Sequence, residues 1–467
     1  MSFPIDDLEP KRGDRKVLMI AYAFPPTGGP GVQRSAKFAK YLPQFGWLPT
    51  VWTADEVDGL PRDPTLCGEL PSEVVVCPRN AGSGILAMRR SLRGFVNARA
   101  GEGLTAVASR FAEAMDWRLE AWQAATLLPD DCIAWARRSV GPLTRQIRTE
   151  RFDVIYSTYS PASNHWLALE LKHRTNLPWV ADFRDLWTDD CRYREPSPQR
   201  RAAHRRLEQD ILEAADVVIA VSQRQRQILA DHLPEHADKV ITITNGFDPA
   251  DFATAARSKQ ADDSRFVLTF VGRFQLARTG EELFGGLRTF VEGLGPDSDR
   301  FLLRVVGYAN KTVQTKLRDT GTPCEFVDYV PHEEAIRAMY SSDALLLKSL
   351  TGRNGDSVIP AKLFEYLAAG RPILAVGPRG CECERIVRSC SAGLTVDFDE
   401  TAIADALERL FDAWADGRPI AGCGPDRLGP YSRTELTRRL ALVFDRLADR
   451  AAELVETADE SLETCAR

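Results

Sequence analysis

Residues 355–377, GDSVIPAKLFEYLAAGRPILAVG, place a loop, a helix and a strand in quick succession. Pro360 suits the first turn of a helix, where a missing N–H is no loss. Asp356 or Ser357 is placed to cap that helix by accepting a backbone N–H. Gly370 stops the helix and Pro372 prevents it from restarting. Residues 373–376, ILAV, are a short apolar run of the kind a buried strand shows. Lys362 and Glu365 share one helix face, and Leu363 and Leu367 mark another. A Lys and a Glu near the start of a helix fed by a Gly-containing loop suit a phosphorylated, hydroxyl-rich ligand. Helix N–H groups hold phosphate oxygens, and a carboxylate accepts from a ribose diol. A solvated surface ion pair would show the same local pattern.

The residues before this stretch repeat the strand–helix alternation. FVLTFV at 266–271 reads as a strand, followed by GRFQLARTG and a helix from Glu281. Arg273 and Arg278 in that loop pair two fixed cations with a helix N-terminus, an anion trap. FLLRVVG at 301–307, residues 324–329 and SDALLLK at 342–348 read as further strands. Residues 399–414 and 432–455 read as helices, and the chain from Thr457 as an acidic tail.

The first half follows the same plan. KVLMIAYAF at 16–24 is an apolar strand, then comes PPTGGPGVQR and a helix. Gly28, Gly29 and Gly31 do not spell G-x-G-x-x-G, which disfavours a nicotinamide or flavin enzyme. The loop suits a close backbone approach to a ligand, with Arg34 placed to reach an anion; a plain tight turn is the alternative. Strands are expected at 49–54, 74–77, 152–156, 178–181, 215–222 and 239–244. Ligands of open parallel sheets bind beyond the carboxyl ends of the strands. His165, just past the loop after FDVIY, is there to touch substrate or to serve the core. ADFRDLW at 181–187 sets three charges after an apolar run, which is unfavourable unless they are paired or functional. Arg184 is expected to be clamped by its Asp neighbours or to line a cleft, and Asp182 is the residue most expected in the cleft. Residues 250–264 are polar and small, a candidate linker.

Composition narrows the function further. The 467 residues suggest two large domains. A 44% hydrophobic and 27% charged content is that of a globular protein. The net charge of −6 provides no basic surplus for nucleic acid. No window is apolar enough to span a bilayer, and the polar N-terminus is no secretory signal, so a cytoplasmic protein is expected. The ten cysteines are scattered and expected to be reduced. The Cys381-Glu382-Cys383 run has no matching partner pair, and no metal site is expected. Residues 82–125 are helical in composition. Arg89, Arg90, Arg93 and Arg99 alternate there with apolar side chains, which suits either an anionic membrane surface or a solvated face over the core.

Together the PPTGGPGVQR loop, ADFRDLW, the NGFD turn at 245–248, VGRF and KLFEYLAAGRPILA resemble family 4 glycosyltransferases with the GT-B fold, from about Lys16 to Val455. The resemblance implies an α/β chain of two facing Rossmann-like domains with parallel sheets, and a C-terminal helix crossing back to the first domain. The divisions expected are 1–250 for an acceptor domain, 251–263 for a linker, 264–430 for a donor domain and 431–467 for the helix and tail. It implies a nucleotide-diphosphate sugar as co-substrate, no other cofactor, and a sugar or lipid-linked acceptor. Arg273 matches the family's diphosphate-binding Arg. Arg278 stands in the region where the family usually has Lys. Glu365 matches the second Glu of E-x7-E, the one that holds the ribose. Where the first Glu would stand this chain has Ser357. Gly28 and Gly29 match the loop that approaches donor phosphates and acceptor. The implied reaction is retaining, with cations neutralising the departing diphosphate. A sugar-nucleotide epimerase and a non-catalytic nucleotide-sugar binder are the rival expectations.

Overall fold

The computed structural model describes residues 14–57, 59–60, 62–81, 127–193, 197–255, 264–275 and 280–465. They form two compact units, one holding the chain as far as Ala220, residues 226–243 and the chain from Thr437, the other residues 221–225 and 244–436. The basic stretch at 82–125 and Arg278 lie outside the described residues.

In chain order the first unit contains β1 (Arg15–Ile20), α1 (Pro30–Tyr41), β2 (Trp47–Ala54), β3 (Val75–Arg79), α2 (Ile133–Glu150), β4 (Val154–Tyr159), α3 (Ser163–Thr175), β5 (Trp179–Phe183), α4 (Pro198–Ala214), β6 (Val217–Ala220), α5 (Gln223–Asp231), which begins among residues of the second unit, and β7 (Val240–Thr242). Its seven strands form one parallel sheet in the order β3-β2-β1-β4-β5-β6-β7. The order reverses between β1 and β4, where Ile20 lies opposite Ser157.

The rest of the chain gives α6 (Pro249–Ala255), β8 (Phe266–Val271), α7 (Glu281–Leu294), β9 (Phe301–Val306), α8 (Lys311–Arg318), β10 (Cys324–Val327), α9 (His332–Tyr340), β11 (Ala344–Lys348), α10 (Lys362–Ala369), β12 (Ile373–Val376), α11 (Glu382–Ser389), β13 (Gly393–Val396), α12 (Glu400–Ala415) and α13 (Arg433–Cys465). Six strands form the second parallel sheet, in the order β10-β9-β8-β11-β12-β13. Short apolar runs suffice because both faces are covered. In β11, Ala344 and Leu346 enter one core while Leu345 and Leu347 enter the core on the opposite face.

Three local expectations change. The helix of the 355–377 stretch starts at Lys362 with Ala361 as its N-cap, so neither Asp356 nor Ser357 caps it. Those two residues belong to a separate helical turn, Gly355–Ser357, and the Ser357 hydroxyl donates to the Asn354 carbonyl at 2.7 Å. The polar stretch read as a linker opens with α6, and the acidic tail continues α13 to Cys465.

From Thr437 onward α13 belongs to the first unit. Asp445, 4% exposed, accepts from Arg15 at 3.0 Å and from the Trp47 indole at 3.1 Å. Phe444 packs edge-on against Trp47, ring centroids 5.2 Å apart. These contacts bind the helix to the amino ends of β1 and β2.

Polar side chains expected at a ligand face instead lie inside the first unit. Arg34 is 1% exposed and Asp182 is fully buried. The guanidinium reaches both carboxylate oxygens, at 2.7 and 3.0 Å, and the Ile243 carbonyl at 2.9 Å. The Tyr156 hydroxyl also donates to Asp182. Arg184 is clamped by neither Asp neighbour: it donates to the Tyr159 and Ser160 carbonyls at 2.8 and 3.2 Å, and its guanidinium occupies the space a side chain at Gly31 would need. His165 is fully buried, with Nδ1 2.7 Å from the Ser157 hydroxyl and its ring centroid 4.6 Å from that of Phe183. Of its two readings, the core role fits that burial, which pushes its pKa down to about 3.

Two predictions come from this interior. Asp445→Ala strands the Trp47 N–H and should lower unfolding stability by about 2 kcal/mol in urea titrations. Asp449→Ala, removing a half-exposed partner of Arg15, should lose under about 1 kcal/mol. His165 is neutral when folded down to about pH 3, whereas the unfolded imidazole takes a proton near pH 6.5. Its contribution is therefore complete above pH 6.5 and falls as pH drops toward 3. In that window the stability gap between wild type and His165→Gln should change by up to about 1.4 kcal/mol per pH unit; parallel curves would mean that protons reach the folded ring.

Candidate functional site

The carboxyl edge of the second sheet gathers cations around a short pair of loops. After β8 the chain turns at Gly272, φ 116°, and after β9 at Gly307, φ 113°. A Cβ at Gly307 would lie 2.5 Å from the Gly272 carbonyl oxygen, so only glycine lets the two turns touch. The strands' ladder carries on through them: Gly272 N–H donates to Val306 at 2.7 Å and Phe274 N–H to Tyr308 at 2.8 Å. Between these anchors Arg273 is exposed, its guanidinium 5.4 Å from the centre of the Tyr308 ring.

Phe270 and Phe274 stand beneath this loop with ring centroids 4.8 Å apart. The Lys348 ammonium, at the last position of β11, lies 3.7 Å from the Phe274 centroid. The Lys362 ammonium, at the first position of α10, lies 4.0 Å from the Phe270 centroid. Ring faces attract such cations and restrict where they sit. Lys362 also donates to the Val271 carbonyl, and the Tyr366 hydroxyl, one turn along, accepts from the Val271 N–H at 2.8 Å. The i, i+4 spacing of Lys362 and Tyr366 thus fixes the start of α10 to the end of β8 through both polar groups of one residue.

Glu365 lies on the same helix with its side chain 27% exposed. His332 Nε2 is 3.9 Å from its carboxylate and 3.4 Å from that of Asp251. Burial pushes the Glu365 carboxyl above the usual range; His332 opposes the shift and Asp251 adds to it. Ser357, fully buried, offers no carboxylate, and its carbonyl accepts from the Ser222 hydroxyl at 2.8 Å. Asp356 beside it is 38% exposed and 3.6 Å from Arg224.

In the first unit Gly28 and Gly29 lead into α1, whose N-cap is Gly29 and which no side chain caps. Arg34, Asp182 and His165 lie inside that unit, as described above. The second unit brings Arg273, Lys362 and Glu365 to one neighbourhood, with Lys348, Tyr308 and Tyr366 added. Spacing pointed to none of these three additions. The signal for Lys348 was a charge ending the apolar run ALLLK.

Among the described residues no helix is long and apolar enough to cross a membrane. Residues 108–251 match Glycosyltransferase Family 4 and residues 265–413 match Glycosyl transferases group 1. The amylovoran biosynthesis glycosyltransferase AmsK of Erwinia amylovora is 27% identical over 48% of this chain and 54% of its own length. A D-inositol 3-phosphate glycosyltransferase of Corynebacterium diphtheriae is 26% identical over 56% of this chain and 63% of its own. The chain thus spans somewhat over half the length of these curated relatives. Trehalose 6-phosphate synthase from Burkholderia multivorans superposes with a TM-score of 0.58 at 15% identity, over 94% of this chain and all of that one. Anabaena HepE in complex with UDP superposes with a TM-score of 0.52 at 12% identity, over 95% of this chain and all of that one. With two parallel Rossmann-like sheets, a C-terminal helix docked on the first of them and GT-B structural neighbours, the chain belongs to the family 4, group 1 glycosyltransferases.

Proposed function

We propose that the chain transfers a glycosyl group from a nucleoside diphosphate sugar to a hydroxyl-bearing acceptor, with retention at the anomeric carbon. The observation that carries this reading is the placing of Lys348 and Lys362 on the rings of Phe274 and Phe270, with Arg273 over Tyr308 in the loop between those phenylalanines and Glu365 one turn along α10. When the glycosidic C–O bond breaks, negative charge grows on the departing β-phosphate. Cations already in position stabilise that charge without reorganising. Two lysines held on ring faces and a guanidinium beside Tyr308 meet that requirement, and the guanidinium fork adds bidentate phosphate recognition. Glu365 is the acceptor for ribose hydroxyls. Gly28 and Gly29 permit a close backbone approach at a helix start, a feature that favours phosphate. With Ser357 in place of a Glu, Asp356 is the carboxylate on hand for donor sugar hydroxyls.

Charge compensation by these side chains would make transfer independent of a divalent ion, with the departing phosphate taking the acceptor proton. A glycan, lipid-linked or small-molecule acceptor fits this chemistry, and the likeness to an amylovoran biosynthesis glycosyltransferase favours a polysaccharide.

A nucleotide-sugar panel read by thermal shift identifies the donor, since a ligand of the native state raises its melting temperature. With that donor, Arg273→Ala should lower kcat by about 10²–10³-fold. Glu365→Ala should raise the donor KM by about tenfold or more, the loss of a charge-assisted hydrogen bond. EDTA should leave the rate unchanged, and product NMR should show the donor's anomeric configuration. Near-normal kinetics in both variants would remove this edge as the donor site. Net conversion of the donor sugar without acceptor would reassign the chain as an epimerase.

A further inference from the structure

Three helix starts of the second unit meet beside Glu365. Glu365 stands in the first turn of α10, Asp251 in the first turn of α6, and His332 is the first residue of α9. A helix start favours a carboxylate and disfavours a cation. The acids therefore suit α6 and α10, whereas a protonated His332 does nothing for α9, which carries Glu333 and Glu334 for that purpose. The imidazole serves its neighbours instead. Its Nε2 lies 3.4 Å from the Asp251 carboxylate and 3.9 Å from that of Glu365. The two acids are 18% and 27% exposed, while the ring is 45% exposed and in reach of solvent protons.

One imidazole thus faces two sheltered carboxylates. Without its charge, Glu365 would meet burial and the Asp251 carboxylate together, and both favour a carboxyl that keeps its proton. Burial is the largest push upward on Glu365, and His332 is the strongest group against it. Asp251 adds to the push, and Lys362 and Arg433 oppose it less. Lys362 is directed to the Phe270 ring and the Val271 carbonyl, and on α9 Arg337 pairs with Glu333. The protonation state matters to a ribose diol. An ionised carboxylate accepts on both oxygens through charge-assisted bonds, whereas a protonated one has turned one oxygen into a donor.

We propose that His332 is a positioning residue of the donor site: its imidazolium, held between Asp251 and Glu365, balances the Glu365 carboxylate so that both oxygens accept from the donor's ribose. His332 touches no reacting atom and acts through Glu365, with Asp251 holding the ring in place. The proposal rests on the reading of Glu365 as the ribose acceptor.

Calorimetry tests it. Of UDP, GDP and ADP, the one that the wild-type protein binds most tightly is the probe, and its affinity is followed from about pH 4 to pH 8. Affinity should fall on the acid side as Glu365 takes up a proton. His332→Gln removes the opposing cation and should move the midpoint of that fall to higher pH by about one unit. Asp251→Asn removes a like charge and should move it to lower pH. His332→Lys keeps a cation and should return it toward the wild-type position. A variant that merely loosened the fold would weaken binding at every pH and leave the midpoint alone. The nucleotide's own phosphates titrate alike in every arm, so differences between arms belong to the protein. A midpoint that stays put in whichever neutral variant folds, His332→Gln or His332→Asn, would overturn the role of His332. So would shifts of the same sign at His332 and Asp251. In either case, an acid fall that disappears in Glu365→Gln leaves the donor reading standing. A Glu365→Gln profile identical to wild type, or no binding of any of the three nucleotides, removes the donor reading and this proposal with it.

Discussion

A wholly parallel sheet delivers every strand's carboxyl end to one edge, and the candidate chemistry of this chain depends on that constraint. In the second unit the loops after β8, β9, β11 and β12 begin at Gly272, Gly307, Ser349 and Gly377, all on that edge. The strand order reverses between β8 and β11, so their loops diverge and leave a crevice, the place where open α/β sheets take ligands. Arg273 follows one of these two strands and Lys348 ends the other. Their proximity is a consequence of topology, although 75 positions separate them by number.

The two units handle buried charge in different ways. Arg34 and Asp182 are both removed from water, a costly arrangement that an apolar pair of similar volume often matches or betters in stability. What the ion pair supplies is position: it links α1, the end of β5, Tyr156 on β4 and the backbone beyond β7 at one point. These charges satisfy each other and leave little for a ligand. In the second unit the lysine ammonium groups rest on phenylalanine rings, and Lys362 also donates to the Val271 carbonyl and attracts the Glu365 carboxylate. A diphosphate could still gain from them. The Arg34 pair is also sealed from water, whereas Arg273 beside the lysines is exposed.

The parallel alternation was legible because strands buried on two faces are continuous apolar runs, and such runs recur with helical spacing between them. Burial of charge was less legible. Arg34 follows a glycine-rich loop and Asp182 ends an apolar run, places where sequence reading expects a ligand, and their pairing joins residues 148 positions apart. His165 carries no local sign of the Ser157 and Phe183 that enclose it. Lys362 and Glu365 share a helix face by spacing alone, but placing Arg273 beside Lys362 requires the β8–β11 pairing. Ser357 was expected to cap α10 because it precedes the helix. The chain instead makes a separate turn first, and Ala361 takes the cap position.

The helix starts suggest where negative charge remains to be supplied. Asn310 caps α8, Cys381 caps α11 and Asp399 caps α12. The helices α7 and α9 lack side-chain caps but carry their own glutamates at the start, Glu281 and Glu282 in one, Glu333 and Glu334 in the other. The Asp130 carboxylate accepts from the Cys132 and Ser163 N–H groups, where α2 and α3 begin. By contrast α1 has neither a side-chain cap nor an acid in its first turn, while α10, also without a side-chain cap, carries Glu365 there behind Lys362. Lacking a cap forgoes about 1 kcal/mol of helix stability. A bound phosphate restores that term, because it is the anion such an end lacks. Among the described residues, the helix start after the Gly28–Gly29 loop is left open in this way.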